Sequence, residues 1–275
     1  MGQPLNDYLR IVKGPEDEWD LFEIALQLCR VKSSNFDWDA YTERVSALCR
    51  RVEDRLAGKR EVFEIINCLN DVFFQQEGFQ GNIHDYYNAN NSYLTFVLDR
   101  KKGIPISLAI LYRKVAVHFG LSLQCVAMPG HFLLKYSAPF HQLFIDPFHR
   151  GEILLEQECE QRFDEVHGGQ VEFERDYLNE TSNRAVVLRM LMNLKQAYRR
   201  SGNNPLLLQI LDRRLPLLEE ALPEILERGL VRLDLEQYSG ALDDLEFFVQ
   251  NSQDARVKKL IEERLPQVRL LARRN

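Results

Sequence analysis

Residues 103–148 decide the fold. They read GIPISLAILYRKVAVHFG (103–120) and then LSLQCVAMPGHFLLKYSAPFHQLFIDPF (121–148). Pro105 stands where a proline helps a helix to begin, because its missing N–H would be unpaired there in any case. Apolar residues recur at helical spacing after it, and Gly120 favours the end of the helix. The first part of the segment therefore predicts one helix.

The second part of the segment predicts strands. Three short runs of strand-forming residues are separated by Pro129-Gly130 and by a second connection. They cover residues 121–128, 131–136 and 142–146. Strands so closely spaced favour an antiparallel sheet that lies beside the helices. The expected fold class is therefore α+β.

The chain before this segment is predicted to be largely helical. Apolar residues recur at helical spacing from Trp19 to Cys29, from Trp38 to Val52 and from Val62 to Phe73. Residues 79–91 have no such period and are expected to form a loop. Asn91 or Ser92 can cap a short helix that runs through Arg100. After the strands, one further helix is expected at about residues 155–165.

The C-terminal part contains an internal repeat. An offset of 34 residues aligns Leu207 with Ala241, and this is the period of a tetratricopeptide helix pair. In that frame Gly229 falls where the two helices of a repeat touch. Four ordinary amphipathic helices would give a similar pattern and remain the alternative. Residues 254–272 are expected to form a closing helix.

The distribution of charge also divides the chain. Residues 1–180 contain 19 Lys and Arg against 28 Asp and Glu, whereas residues 181–275 contain 16 against 13. We therefore expect two domains with these bounds, a helical lead-in with the α+β core and an all-α repeat tail. Two repeats cannot bury a solenoid core alone, so the tail is expected to pack against the first domain.

Composition excludes several classes of protein. Hydrophobic residues make up 45% of the chain and charged residues 28%, which is a globular balance. No apolar run approaches the ~20 residues that span a bilayer, and the first residues lack the pattern of a signal peptide. The five cysteines are odd in number and form no close pair, as in reduced cytoplasmic proteins. We expect no membrane association, no disulfides and a cytoplasmic location.

Nucleic-acid, nucleotide and metal sites are not indicated by the sequence. The net charge of −6 opposes a dedicated nucleic-acid binder, and the glycine motifs that bind phosphate are absent. The six histidines show none of the spacings typical of zinc sites. We therefore expect neither a cofactor nor a metal.

Several separate motifs resemble those of a known family. They are Asn91-Ser-Tyr-Leu94, Gly103-Ile-Pro-Ile-Ser107, Pro129-Gly-His131-Phe and Asp146-Pro-Phe148. With helices before them and tetratricopeptide-like repeats after them, they are similar to the bacterial SirB-type family. That family is classed as transglutaminase-like with a repeat tail. The resemblance implies a transglutaminase-like (papain-like) core and the place of a site, but it implies no substrate.

The resemblance also implies roles for single residues. In a transglutaminase-like core, a cysteine at a helix start, a histidine heading one strand and an aspartate ending the next form a Cys-His-Asp triad. His131 matches the histidine and Asp146 the carboxylate, whereas the cysteine position falls on Pro105. Ser107 faces about 200° around the helix axis from that position. Cys125 has no helix terminus to activate its thiol.

These residues have structural explanations as well. His131 follows a Pro-Gly turn and could bond to the backbone, and Asp146 could end a strand through an Asx turn. Their transglutaminase-like spacing favours partnership in a cleft. The candidates for the lining of that cleft are Asn88, Asn90, Asn91 and Ser107. Helix capping explains Asn91 equally well.

Two functions are compatible with these features. The first is a binding or scaffold protein that holds a peptide or protein partner in the old cleft and on the repeat surface. The second is a hydrolase or an acyl or amide transferase that works without a cysteine, in which His131 is the general base and Asp146 its partner. Pro105 favours binding, because the covalent route of the family needs a nucleophile at that position.

Overall fold

The computed structural model describes residues 3–33, 36–139 and 141–273. The chain forms two compact units, one of Glu16–Met190 and one of Met1–Pro15 together with Leu191–Asn275. One small antiparallel sheet among many helices confirms the α+β class expected from the sequence.

Helices contain most of the residues. Their bounds are α1 Gln3–Val12, α2 Leu21–Cys29, α3 Trp38–Leu56, α4 Val62–Asn70, α5 Leu94–Arg100, α6 Pro105–His118, α7 Glu156–His167, α8 Asn183–Ser201, α9 Asn204–Arg214, α10 Leu222–Asp234, α11 Tyr238–Asn251 and α12 Ala255–Ala272. A π-helical segment, Asp71–Gln76, continues α4. Gly78 follows it with a φ of +75°, a conformation that glycine adopts without strain.

The strands form two small sheets. Their bounds are β1 Gln80–Gly81, β2 Lys102–Gly103, β3 Gln124–Val126, β4 Leu133–Ala138, β5 His141–Asp146 and β6 Glu152–Leu154. β1 and β2 pair in parallel, and β3-β4-β5-β6 form an antiparallel sheet in that order. The three predicted strands are confirmed with shifted bounds. The sequence missed β6, β2 and β1, the last of which lies in the segment predicted as a loop.

Helix α6 is the centre of the larger unit. It is apolar around most of its circumference, and its buried residues include Pro105, Ile106, Leu111 and Ala116. Such a helix must be covered on several sides, and α2, α3, α4 and α5 all pack against it. It also packs against the short 3-10 turn Pro147–His149 that follows β5. The helix start that the sequence predicted at Pro105 is therefore confirmed and is fixed beside the end of β5.

Helix α7 covers the sheet. Its buried residues Cys159 and Phe163 pack into one cluster with residues from all four strands, namely Val126, Leu133, Phe144 and Leu154. The predicted helix at residues 155–165 corresponds to α7. Since these side chains are fully or almost fully buried, the cluster fixes α7 on the sheet next to the last residue of β5.

The repeat helices pack as the 34-residue period predicts. A Cβ atom at Gly229 of α10 would lie 3.0 Å from Asp244 Cβ and 3.1 Å from Leu245 Cδ2 of α11. Glycine therefore allows the closest approach of this helix pair. Leu245 also belongs to a cluster with Ile261 and Leu265 of α12, which confirms the closing helix.

The N-terminal helix α1 belongs to the repeat unit, whereas the sequence analysis placed it with residues 1–180. Tyr8 of α1 is fully buried, and its hydroxyl donates to the Arg213 carbonyl oxygen at 3.0 Å. Neither hydrophobic periodicity nor charge could reveal this contact, since 205 residues separate the two partners. The domain bounds 1–180 and 181–275, and the packing of the tail on the first domain, stay predictions.

Candidate functional site

His131 lies at the turn before β4. Gly130 has a φ of +77° in this turn, and the His131 N–H donates to the Met128 carbonyl oxygen at 2.9 Å. The side chain is buried: only 4% of the residue surface is exposed. Of the side chains in the described part of the chain, only Asp146 forms a hydrogen bond with its ring.

The antiparallel register brings Asp146 to His131. Leu134 of β4 lies opposite Ile145 of β5, so the start of β4 meets the end of β5. His131 Nε2 lies 2.6 Å from Asp146 Oδ2. The sequence proposed partnership of these two residues, and the structure brings them together.

The two carboxylate oxygens of Asp146 have different hydrogen-bond partners. Oδ1 accepts the backbone N–H of Phe148 at 3.0 Å and that of His149 at 3.2 Å, which is the Asx turn considered from the sequence. Oδ2 faces His131. Burial raises the pKa of Asp146, but the hydrogen bonds from His131 and His149 outweigh it and hold that pKa well below its usual range. Asp146 is therefore a carboxylate at neutral pH, and the structural and the site explanations both apply.

Two further residues converge on the same oxygen, and sequence reasoning missed both. His149 Nδ1 lies 2.7 Å and Arg162 Nη1 lies 3.0 Å from Asp146 Oδ2. Arg162 also donates to Glu152 Oε2 at 2.7 Å. The only signal for His149 was its place three residues after Asp146, inside the Asx turn. No pattern in the sequence indicated Arg162, because it reaches Asp146 only through the packing of α7 on the sheet.

A metal ion would have to compete with Arg162 at this cluster. One possible ligand atom from each of His131, Asp146 and His149 lies within 4.8 Å of the others. Arg162 Nη1 approaches two of these atoms, since it also lies 2.5 Å from His149 Nδ1. Glu152 and Asp146 raise the Arg162 pKa in spite of burial, so the guanidinium stays charged. The two imidazoles and the charged guanidinium thus surround one carboxylate oxygen of Asp146.

Aromatic rings connect the buried histidine to the surface. Phe148 meets His131 edge-on with ring centroids 6.1 Å apart, and Tyr86 meets Phe148 at 6.0 Å. Tyr86 in turn meets Tyr87 at 5.3 Å. Gly81 leaves room for this arrangement, because a Cβ atom there would lie 2.5 Å from the Phe148 ring. We call Tyr86, Tyr87 and Phe148 the aromatic shelf.

Both parts of the chain match known protein families. Residues 39–192, more than half of the chain, match the sequence profile described as the transglutaminase-like superfamily. The chain belongs to the transglutaminase-like superfamily. Residues 194–266 match the tetratricopeptide repeat, so the repeat tail is confirmed as well.

Relatives of this transglutaminase-like protein occur in several bacteria. A UPF0162 protein of Xylella fastidiosa (strain Temecula1) is 32% identical over 239 residues, which cover 84% of this chain and 83% of the relative. A UPF0162 protein of Vibrio cholerae serotype O1 is 26% identical over 238 residues, 86% of this chain and 87% of the relative. These matches are consistent with the SirB-type resemblance.

A shorter similarity links the protein to eukaryotes. F-box only protein 21 of Homo sapiens is 39% identical over 105 residues, which are 35% of this chain and 17% of that protein. Among solved structures, menin aligns with 95% of this chain and 74% of its own at a TM-score of 0.44 and 10% identity, below the level that indicates a shared fold. Within the described residues, no helix is both long and apolar enough to cross a bilayer.

The family resemblance implies that the nucleophile position of the triad falls on Pro105, and this assignment stays a prediction. Pro105 is buried at the first residue of α6 and offers neither a thiol nor an N–H. Ser107, two residues later, is fully buried, and its hydroxyl donates to the Asn91 carbonyl oxygen at 2.6 Å. It also accepts the backbone N–H of Ile104 at 3.1 Å. The Ser107 hydroxyl therefore holds the start of α6 in place.

The asparagines of the preceding loop bond to one another and to the backbone. Asn91 is buried, donates to the Asp85 carbonyl oxygen at 2.6 Å and accepts from Asn82 at 2.9 Å. Asn88 donates to the Asp85 carboxylate at 2.7 Å and accepts the N–H of Asn90 at 2.9 Å. Their side chains fix the loop that carries Tyr86 and Tyr87. Their role as the lining of a cleft stays a prediction.

No cysteine of this chain is activated. All five are buried: Cys29, Cys49, Cys68, Cys125 and Cys159. Burial is the first cause in each case, and it raises the pKa of Cys29 and of Cys125 to about 11 and that of Cys159 to about 12. The pKa values of Cys49 and Cys68 are raised as well. Because the thiolate is the nucleophile, raised pKa values lower the fraction of each thiol that could react at neutral pH.

Proposed function

We propose that this protein binds a peptide segment of another protein and that its transglutaminase-like core does not carry out covalent catalysis. The state of the cysteines carries the proposal. Covalent chemistry in this superfamily requires a thiolate beside the histidine, and every thiol of this chain is buried with a raised pKa. Pro105 at the nucleophile position supports the same conclusion.

The repeats support a protein as the ligand. Tetratricopeptide helices build extended surfaces on which such proteins bind their partners. Helices α8 to α12 match this repeat over residues 194–266. A scaffold role is therefore consistent with both parts of the chain.

The aromatic shelf supports a contact surface beside His131. Tyr87 is 67% exposed and its neighbour Ile83 is 70% exposed. Large exposed apolar side chains are often held in place where a partner binds. Here the bonds of Asn82, Asn88 and Asn91 fix the loop in advance, so that little conformational entropy is lost on binding.

Selection from a random peptide library displayed on phage tests the proposal. Peptides enriched on the wild-type protein should bind the variant Tyr87→Ala at least about tenfold more weakly, as expected for an aromatic contact residue. Phe63→Ala is the matched control, because Phe63 is also an exposed aromatic residue but lies on α4 outside the shelf. Failure to enrich any peptide, or equal binding by both variants, would contradict binding at the shelf.

The intact His131–Asp146 pair favours one second candidate. A neutral imidazole whose Nε2 is held at 2.6 Å by a carboxylate can act as a general base through its other nitrogen. In that case His131 would activate water in a hydrolase, or an acceptor in an acyl or amide transfer. Turnover of fluorogenic ester or amide substrates that His131→Ala abolishes and cysteine alkylation leaves intact would support this candidate. Absence of turnover would leave the binding function.

A further inference from the structure

A second concave site lies in the larger unit, away from the His131–Asp146 pair. It is a cavity of about 600 Å³ between α2, α3 and α6. Cavities of roughly 300–1,000 Å³ accommodate small organic ligands. All its lining residues fall between Asp20 and His118, so the cavity belongs to one compact unit.

All three helices contribute apolar side chains to the cavity wall. Phe22 of α2, Val45 and Cys49 of α3, and Val117 of α6 line it. The first three are buried, whereas Val117 is half exposed at the rim. A ligand that fills this space would bury a hydrocarbon or aromatic body against these side chains.

The charges at the cavity differ in how they are satisfied. Lys114 Nζ lies 2.5 Å from Asp20 Oδ2, and Asp20 Oδ1 accepts the N–H of Phe22 at 2.9 Å as the cap of α2. Arg50 bonds to Glu43 outside the cavity at 2.7 Å. Each of these charged groups therefore has a partner.

Glu23 is the exception. It lines the same cavity, it is half-buried, and among the described residues no Lys, Arg or His side chain forms an ion pair with its carboxylate. A partly desolvated carboxylate gains most from an incoming cation, because its own hydration is already reduced.

We infer that the cavity formed by Phe22, Glu23, Val45, Cys49, Lys114 and Val117 binds a small amphipathic amine. The apolar body of the ligand lies against Phe22, Val45 and Cys49, and its ammonium group pairs with Glu23. An anionic ligand would find Lys114 paired with Asp20 and Arg50 paired with Glu43, which leaves His118 as its partner in the lining. This site is independent of peptide binding at the aromatic shelf.

Three probes with the same phenylethyl body test the inference on the full-length protein. Phenethylamine, phenethyl alcohol and hydrocinnamate carry the same phenyl group with a positive, a neutral and a negative end. Trp38 lines the cavity, and so its fluorescence and the NMR shifts of cavity residues localise binding. Phenethylamine should bind most tightly. Hydrocinnamate binding as tightly as the amine, or no binding of the amine at millimolar concentration, would overturn the inference.

Variants test separately the ion pair with the ammonium group and the apolar contacts with the body of the ligand. Glu23→Gln should weaken phenethylamine binding about tenfold, as the loss of a charge-assisted hydrogen bond does, and leave phenethyl alcohol unchanged. Glu53→Gln removes a surface carboxylate of α3 outside the cavity and should change neither affinity. Val117→Trp at the half-exposed rim should fill the space and abolish binding of both probes while the protein stays folded. Unchanged amine binding in Glu23→Gln and in Val117→Trp would show that the site lies elsewhere.

Discussion

His131 Nε2 lies 2.6 Å from Asp146 Oδ2, although 15 positions separate the two residues in the chain. The antiparallel pairing of β4 with β5 produces this contact. The second carboxylate oxygen of Asp146 holds the turn that leads to His149. Any change at Asp146 should therefore alter stability together with chemistry at the site.

Asp146→Asn should lower the free energy of unfolding at neutral pH by about 3 kcal/mol, because it removes one charge from a buried, hydrogen-bonded cluster and takes away one of the two carboxylates to which Arg162 donates. Urea unfolding monitored by circular dichroism measures this difference. Glu53→Gln, on the exposed surface of α3, should change it by less than about 0.5 kcal/mol. A loss at Asp146 no larger than this control would contradict the buried cluster.

The effect of Asp146→Asn on the free energy of unfolding should depend on pH. The folded-state pKa of Asp146 is held below its unfolded value of about 3.9. The contribution of the Asp146 carboxylate to the free energy of unfolding is complete above about pH 4. It is lost as the pH falls toward the folded-state pKa. The difference in unfolding free energy between wild type and Asp146→Asn should thus stay constant above about pH 5 and shrink as the pH falls below about pH 4. Curves that stay parallel over this range would show that the charge of Asp146 contributes little.

All five cysteines should react slowly with iodoacetamide at neutral pH. Burial raises each thiol pKa above its ordinary value and restricts access. Mass spectrometry of the intact protein should show alkylation at a rate below that of free cysteine, and all five thiols should react after denaturation. One cysteine that reacts faster than the others at pH 6 would reveal an activated nucleophile and would contradict the non-covalent function.

Gly229→Ala should destabilise the repeat unit by about 1–2 kcal/mol, since the added methyl group would approach Asp244 and Leu245 too closely. Gly240→Ala is the matched control on α11. The nearest atoms to its Cβ, 3.2 Å or more away, belong to the polar end of the Arg232 side chain and not to a packed apolar side chain such as Leu245, and helix propensity favours alanine. Thermal melts of both variants test the difference. Equal stability would mean that α10 and α11 are farther apart than described.

Residues 181–275 expressed alone should be poorly folded, with a broad and poorly dispersed NMR spectrum. This fragment lacks α1, whose Tyr8 is fully buried in the same compact unit and bonds to the Arg213 carbonyl oxygen. In the full-length protein, Tyr8→Phe should cost about 1 kcal/mol through loss of that hydrogen bond. A well-dispersed spectrum from the fragment would show that the repeats fold without α1.

The sequence predicted those features that depend on neighbours along the chain. Helical spacing of apolar residues located α2, α3 and α6, because one turn of a helix involves only a few residues. Pro105 and Gly120 marked the ends of α6 through their own backbone restrictions. The 34-residue period located the repeat helices for the same reason, since each repeat is one local unit.

Features that depend on distant contacts were missed or left open. β6 has three residues, Glu152–Leu154, too few to show an alternating pattern, and it exists through pairing with β5. Tyr8 joins the repeat unit across most of the chain length. Such contacts depend on the arrangement of elements in space and not on local preference.

The candidate site also combines features that follow from the local sequence with features that depend on tertiary contacts. The sequence by itself determined that a histidine follows a Pro-Gly turn and that an aspartate ends the next strand. The place of Pro105 at the nucleophile position is what the family resemblance implies. Only the tertiary structure decided that His131, His149 and Arg162 all meet one oxygen of Asp146, and that every thiol is buried. The physical reason is that hydrogen bonding and burial are properties of packed elements, and the register of β4 on β5 and the packing of α7 on the sheet bring these groups together.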